Sequence, residues 1–435
     1  MNNNTPLQIG EKIRQIRVAK GLSQDNLAYA TGKSKAHISR LERGDSEIDG
    51  KTLAAIKEFL EIPGAPLLEH ELEVFRLRIW GWNELVSARR IENAIAQQKE
   101  LSQILNLPFE HDLIIIYKMI SARMAFLEPD HHAVEEHLSS VEGMLDNASE
   151  GALYLYHRVK GTLMTHTGNI KTSLRHHLQA LEHSDNILKP DLLLVSSVGT
   201  LYIVCGAPVM AMTYFERFIR EYKGDESQLT MNAAHNDLGA CYTVLGYYEK
   251  ARKLFQSCLV RARSYGNQKE IGTLLANLGL ISSKTGDYEA GIKFVDEALP
   301  YLQLSETRRT HLNALIIKAH CLAKINKRKR CEEIIAQCRD LTKKEEYKEF
   351  TVMVETYRYI FIAPNDDQAI EYLESVSLPY YMNSGLLHAT TVLEICDTLE
   401  ALYLKRGAVR KADAIVRISR DVYKGIVCGP GDLEL

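Results

Sequence analysis

Apolar residues recur along almost the whole chain at spacings of three and four, the signature of helices with one buried face. Near the N-terminus Leu7, Ile9, Ile13 and Ile16 share such a face, and Gly21 after Lys20 predicts its end. Ser23 predicts the cap of a second helix, Gln24 to Ala30, with Leu27 and Ala28 inward and Thr31-Gly32 as the turn. Ser34 then caps a third helix to Arg43, burying Ile38 and Leu41 and stopping at Gly44. A fourth, Gly50 to Leu60, is anchored by Leu53, Ile56 and Phe59. Two short helices about a glycine-containing turn make a helix-turn-helix unit, with Ala28 and Gly32 as the small residues at the crossing.

Beyond the fourth helix, Pro63-Gly64-Ala65-Pro66 breaks the pattern and predicts a linker over 63–70. In 71–105, Leu72, Phe75, Ile79, Trp82, Leu85 and Val86 share one face and Trp80 lies off it, which reads as connecting helices or a degenerate repeat. From 106 to 428 the chain repeats itself. Gly161, Gly199, Gly239 and Gly279 occupy equivalent places at steps of 38, 40 and 40, with Gly168, Gly206, Gly246 and Gly286 at the following turns. Ala319 continues the series, with Asn326 at its turn and Cys331 at a packing position. Weaker copies centre on Ala122, on Tyr357 with Ala369 and Leu373, and on Leu399 with Gly407, Ala412 and Val416. A small residue inside the first helix of a pair lets the second cross closely, and pairs that cannot bury their faces alone stack into a solenoid.

Length and composition narrow this further. At 435 residues the chain exceeds one compact core, and 46% hydrophobic with 25% charged residues excludes wholesale disorder. Only 11 prolines interrupt it, which permits long helices. No stretch approaches the roughly 18 apolar residues a membrane span requires. Met1-Asn2-Asn3-Asn4-Thr5-Pro6 carries no basic-then-apolar leader, so the expectation is a cytoplasmic protein without a membrane partner. Eight scattered cysteines read as reduced, buried small residues, Cys331 and Cys338 being the one close pair. No metal site or cofactor is expected: His131, His132 and His137, and His176, His177 and His183, lack converging carboxylates. No P-loop, dinucleotide fingerprint or nucleophile elbow points to an enzyme.

Charge is unevenly spread. Residues 1–43 hold Lys12, Arg14, Arg17, Lys20, Lys33, Lys35, Arg40 and Arg43 against Glu11, Asp25 and Glu42, a balance of +5. The whole chain is at −3, so the remainder is acidic, and a polyanion partner is expected at the N-terminal end only. Lys327-Arg328-Lys329-Arg330 at a repeat turn reads as a solvated hairpin with an optional phosphate contact.

The run from Ile9-Gly10 through Ile13, Ile16-Arg17, Lys20-Gly21-Leu22-Ser23-Gln24 and Leu27-Ala28 resembles the Cro/repressor (XRE-type) helix-turn-helix family. Its continuation, Thr31-Gly32, Ser34 and Ile38-Ser39-Arg40-Leu41-Glu42-Arg43-Gly44, extends the resemblance over about 55 residues. The resemblance implies that Gln24 touches phosphate and braces the reading helix, that Lys35, Ala36 and Arg40 face bases, and that Arg43 approaches a phosphate. With Ser34 and His37 beside them, these form the expected DNA-facing set, whereas Arg17 and Glu42 match a structural ion pair.

The repeats resemble tetratricopeptide repeats with lengthened helices, most closely over 230–300. The expected fold is therefore all-α: a Cro-like domain over 1–62 and a right-handed superhelical tetratricopeptide-repeat solenoid over 106–428. That combination resembles the RRNPP group of quorum-sensing regulators. The resemblance implies a homodimeric transcription regulator that binds a double-stranded operator and takes a short signalling peptide on its inner wall. Arg158, Asn236, Asn277, Asn313 and His320 lie at or beside inner-wall positions; the asparagines suit peptide backbone and Arg158 a carboxylate. Two other readings stay open. One is a module acting on a response regulator, as in the Rap branch, with Gln97, Gln98 and Gln103 in the relevant segment; the other is a mobile-element repressor controlled by an antirepressor protein.

Overall fold

The structure, a computed structural model, describes residues 8–127, 130–184, 191–222, 228–302, 308–343, 348–362, 367–383 and 389–428. Leu7 and the side chain of Cys428 lie outside the described residues. The chain divides into two compact units, Met1–Pro190 and Asp191–Leu435, and no strand occurs among the described residues.

In the first unit, α1 (Ile9–Ala19), α2 (Gln24–Thr31), α3 (Lys35–Arg43) and α4 (Gly50–Phe59) form the helix-turn-helix module. Ser23 accepts from Asn26 N and Ser34 from His37 N, so each hydroxyl satisfies an amide at a helix start that has no partner within the helix. The core is Ile13, Ile16, Leu27, Ile38, Leu41 and Ile56. Three expectations change. Phe59 is exposed, and Leu60 and Ile62 close the core in its place, because a left-handed residue at Glu61 turns the chain just past α4. Leu53 is only half-buried. Gly32 is no crossing residue: a Cβ there would meet nothing, and its φ of 65° caps α2. The close crossing is at Gly10 instead, where a Cβ would stand 1.9 Å from the Leu41 carbonyl oxygen.

The predicted linker is packed. Ala65 and Leu67 are buried and α5 (Glu69–Ser87) starts inside the expected span, with Glu71 accepting from the amides of Leu67 and Leu68. Helix α5 buries Leu72, Phe75, Ile79, Trp82 and Val86, the face anticipated from spacing. It is followed by α6 (Ile91–Leu101), α7 (His111–Ala125), α8 (His131–Ser139), α9 (Glu150–His166) and α10 (Ile170–Ser184).

The second unit is a succession of antiparallel pairs: α11 (Leu192–Val204) with α12 (Pro208–Glu221), α13 (Gln228–Val244) with α14 (Tyr248–Ser264), α15 (Gln268–Lys284) with α16 (Tyr288–Leu302), and α17 (Arg308–Lys324) with α18 (Arg328–Leu341). Next come α19 (Lys348–Phe361), α20 (Asp367–Tyr372) and α21 (Leu378–Asn383), then α22 (Ala389–Lys405) paired with α23 (Val409–Cys428).

One contact generates the repeat. A Cβ on Gly161, Gly199, Gly239 or Gly279 would fall 2.5–2.9 Å from His177, Phe215, Phe255 or Val295, the residue sixteen places later in every copy. The small residue is what lets that side chain lie flat against the first helix. Leu399 keeps the register, and its partner is the buried Ile415 rather than Val416. The turn residues Gly168, Gly206, Gly246, Gly286 and Asn326 all have positive φ, as expected. A wide helical turn at Leu373–Ser377 separates α20 from α21, where Ser377 bonds Thr356 and breaks the pattern.

Candidate functional site

Helix α3 is held from beneath by ions. Arg17 Nε and Nη2 donate to the two oxygens of Glu42 at 2.6 and 3.0 Å, and Gln24 Nε2 donates to Glu42 Oε2 at 2.8 Å. Glu42 is 2% exposed, so removing either partner would leave a buried charge uncompensated. The bracing role of Gln24 is thus visible in its geometry. On the outer side Ser34, Lys35, Ala36, Arg40 and Arg43 are exposed and His37 is half-buried. Lys35 Nζ donates to Asp25 at 2.8 Å and Arg43 Nε pairs with Asp45 at 2.9 Å. Exposed pairs of this kind contribute about 0–1 kcal/mol, so a phosphate can replace either carboxylate at small cost.

Not all of the module's positive charge faces outward. Lys12 is 4% exposed: its Nζ donates to the Leu67 carbonyl at 3.1 Å, lies 4.0 Å from Glu69 and sits over the Phe109 ring at 5.7 Å. Burial pushes the nearby Glu110 carboxyl up, and Lys12 and Arg76 oppose the shift. Lys12 therefore fastens α1 to the start of α5 and to the turn before α7. Spacing alone did not separate this lysine from the DNA-facing cations.

The expected peptide residues fall in both units. In the first, Arg158 of α9 donates to Tyr154 Oη at 2.7 Å. Beside it stands Arg123 of α7, which sequence reading missed; it donates to Ser87 Oγ and Asn83 Oδ1. Burial first, and then the Arg158 charge, bring Arg123 down to about 9. Two neighbouring guanidinium groups on consecutive first helices concentrate positive charge at this place.

In the second unit, Asn277 Nδ2 donates to Asn236 Oδ1 at 3.0 Å, and Asn236 Nδ2 to Asp237 Oδ1 at 3.4 Å. This row of amides joins α13 to α15, and burial pushes Asp237 up to about 6. Asn232, one turn earlier, is fully committed: it bonds Cys258 O, Glu270 and Arg261. Asn313 is exposed on α17 and none of these bonds reaches it. His320 shares a 2.7 Å bond with Ser283 Oγ and packs against Tyr288 and Phe361, and burial brings it down to about 4.

Other clusters rearrange. His131 faces His166 at 3.1 Å, His176 faces His157 at 3.0 Å, His183 bonds Glu150, and His177 covers Gly161. Among the described residues no group of three or more His, Cys, Asp or Glu is arranged to hold a metal, and no helix is long and apolar enough to cross a membrane. Gln97 donates to Arg78 O and Gln98 to Ser121 Oγ, so both amides tie helices together.

A capped, exposed, ion-braced α3 ahead of stacked helical pairs defines a class: a transcriptional regulator with a helix-turn-helix module and a repeat body. The helix-turn-helix family matches residues 13–67 and the tetratricopeptide repeat family residues 229–304. The transcriptional activator NprA of Geobacillus stearothermophilus is 19% identical over 408 residues, which cover 91% of this chain and 98% of NprA. The control protein C.BamHI of Bacillus amyloliquefaciens is 34% identical over 70 residues, 16% of this chain and 86% of that protein. Two solved structures of NprR share the fold. The apo form of the quorum sensor from B. thuringiensis has a TM-score of 0.63 at 16% identity, covering 81% of this chain and 99% of that one. NprR with its cognate peptide NprX has a TM-score of 0.62 at 17% identity, covering 80% and 99%. The chain belongs to the RRNPP-type regulators, with a Cro-type helix-turn-helix module ahead of a tetratricopeptide-repeat body.

Proposed function

We propose that the chain reads a specific operator in the cytoplasm through α3 and that a short signalling peptide, held by the repeat body, changes the geometry of a homodimer and so its fit to DNA. The observation that carries the reading is the two-sidedness of α3. Leu41 and Glu42 are locked into the module while Lys35, Ala36, Arg40 and Arg43 stand exposed on the same capped helix. A helix fixed in this way presents its donors to a major groove as a rigid set. Half-sites of a dimer lie about 34–36 Å apart, so a modest change in module spacing alters operator fit.

The row Asn277–Asn236–Asp237 supports the peptide half, since every residue of an extended peptide needs a donor and an acceptor. In the first unit Arg158, with Arg123 next to it, suits an acidic group of a ligand, and in the second Asn313 and His320 stand at inner-wall positions of their own repeats. NprR, which shares the fold, has been solved with a cognate peptide.

The test begins with operator selection from random duplexes. Arg40→Ala should then weaken the selected operator by roughly tenfold or more, as loss of a base-edge contact does. Peptides that co-purify with the protein, identified by mass spectrometry and added back, should shift operator affinity in a gel-mobility assay. Operator affinity indifferent to every such peptide removes the gating claim and leaves the DNA-reading module.

A further inference from the structure

In the second unit, α15, α17, α19 and α22 surround an open cavity of about 540 Å³. Ile360, Phe361 and Leu402 make part of its lining apolar, and Lys284, Lys324 and Lys405 against Glu394 and Asp397 make the rest charged. Lys284 Nζ donates to Glu394 Oε1 at 2.5 Å, joining α15 to α22 across 110 residues of chain. His320 lines the same cavity and is held neutral at pH 7 by burial, which brings it down to about 4. Burial, together with the Glu394 charge, pushes the Asp397 carboxyl up, and Lys284 opposes the shift.

Repeat packing does not require this ion pair. Glu394 occupies the place five residues before Leu399, which keeps the register of the small residue in its pair. Earlier copies fill that place with Tyr156, Leu194, Ala234, Leu274 and Ala314, all buried and none of them ionic. Lys284 stands five residues after its small residue, where His166, Val204 and Val244 stand in preceding copies and Lys324 in the next. The place of Glu394 has thus exchanged a buried side chain for a carboxylate, which meets Lys284 at one cavity. A partly enclosed charge costs solvation and is retained when it has a partner or a ligand.

We propose that this cavity is a carboxylate subsite in which Glu394 stands in for the ligand: it holds Lys284 in the empty protein and is displaced when an acid bearing an apolar side chain enters. Phe361 and Leu402 take the side chain and Lys284 the carboxylate. The inference rests on the reading of the repeat body as a ligand-binding body and names one chemical class for it. Two sources carry that chemistry, the C-terminal residue of a short peptide and a free N-acylated amino acid.

The experiment uses the full-length protein and two matched probe pairs, N-acetyl-leucine with N-acetyl-leucinamide, and a tetrapeptide ending in leucine as acid and as amide. Affinities are read by saturation-transfer NMR or calorimetry. In the unaltered protein the acid of at least one pair binds roughly tenfold more tightly than its amide. Glu394→Gln, which keeps shape and removes the competing charge, tightens the acid several-fold and leaves the amide unchanged. Lys284→Met abolishes the acid preference; Lys324→Met, at an exposed position and without consequence for packing, reduces it and covers the case in which the first variant misfolds.

Equal binding of acid and amide in both pairs, or weaker acid binding in Glu394→Gln, overturns the proposal. An acid preference confined to N-acetyl-leucine, with no peptide affecting DNA binding, upholds the subsite and sinks the peptide reading. A co-purified peptide that gates DNA binding while Glu394→Gln leaves every acid unaffected does the reverse.

Discussion

The helix-turn-helix module and the repeat body both bring helices into close contact, and they do so by opposite means. In the module each close approach is unique: Gly10 under the Leu41 carbonyl, Arg17 against Glu42, Lys12 on the Leu67 carbonyl. In the body one approach recurs, a bulky side chain laid on a small residue sixteen places earlier. A structure built from single contacts fails as a whole when one is lost. A structure built from copies loses one interface and keeps the others.

The sharpest way to break the comparison is Glu42→Ala. It leaves Arg17 buried without a counter-ion and Gln24 without its acceptor, a loss of about 3–5 kcal/mol. The module should melt early while the repeat body stays folded, giving two transitions in circular dichroism and no operator binding. A single unshifted transition would refute it.

Next is a matched pair, Gly10→Ala against Gly239→Ala. The first drives a methyl into a backbone oxygen 1.9 Å away, in a module with no freedom to yield, and should cost about 3 kcal/mol. The second meets the edge of the Phe255 ring at 2.6 Å, and that ring can tilt. Part of its cost is recovered from the better helix propensity of alanine, leaving about 1 kcal/mol. Equal losses in chemical denaturation would show that the module is no less forgiving than the repeats.

A smaller effect comes from acid. Burial brings His157, His177 and His320 down to about 4 from 6.5. Each contributes stability that is fully present above pH 6.5 and is lost as pH falls towards 4, because the unfolded chain takes up the proton first. Asp237, pushed up to about 6, acts in the opposite sense, its contribution fading as pH rises through 6. With three groups against one, Tm should fall by several degrees between pH 7.5 and 5, all of it outside the helix-turn-helix module. His177→Leu should flatten that slope; an unchanged slope would mean that His177 takes up its proton equally readily in the folded and unfolded chain.

The smallest is Asn326→Gly. Asn326 adopts φ of 58° at a turn where five other copies carry glycine. Relief of that conformation, set against the greater freedom of glycine in the unfolded chain, should raise stability by at most about 0.5 kcal/mol, readable as a slightly higher Tm. A loss of stability would mean that the asparagine side chain has a role at this turn.

Much of this was legible in the order of residues. The glycines at 161, 199, 239 and 279 disclosed the pairs because a small residue at a fixed period has few uses other than close packing. The Arg17–Glu42 pair and the caps at Ser23 and Ser34 followed from the motif they sit in. Other features were read wrongly or missed. Lys12 counted as one more surface cation, since spacing does not report what lies above a helix face. Phe59 looked like a core anchor until the left-handed turn at Glu61 brought Leu60 and Ile62 inward. Arg123 gave no signal at all, being one arginine on a helix of ordinary pattern.

By itself the sequence determined the local and the periodic: which segments are helical, where they begin and stop, and which residue each pair leaves small. These depend on neighbours within a turn or two, or on a contact sixteen places away. Tertiary structure alone decided which charges are internal and which distant groups meet. Lys12 reaches Leu67, Asn236 meets Asn277, and Lys284 closes on Glu394. Long-range electrostatic partners depend on how successive helices are rotated against one another, and small rotations summed over several pairs are not written in any one stretch of residues.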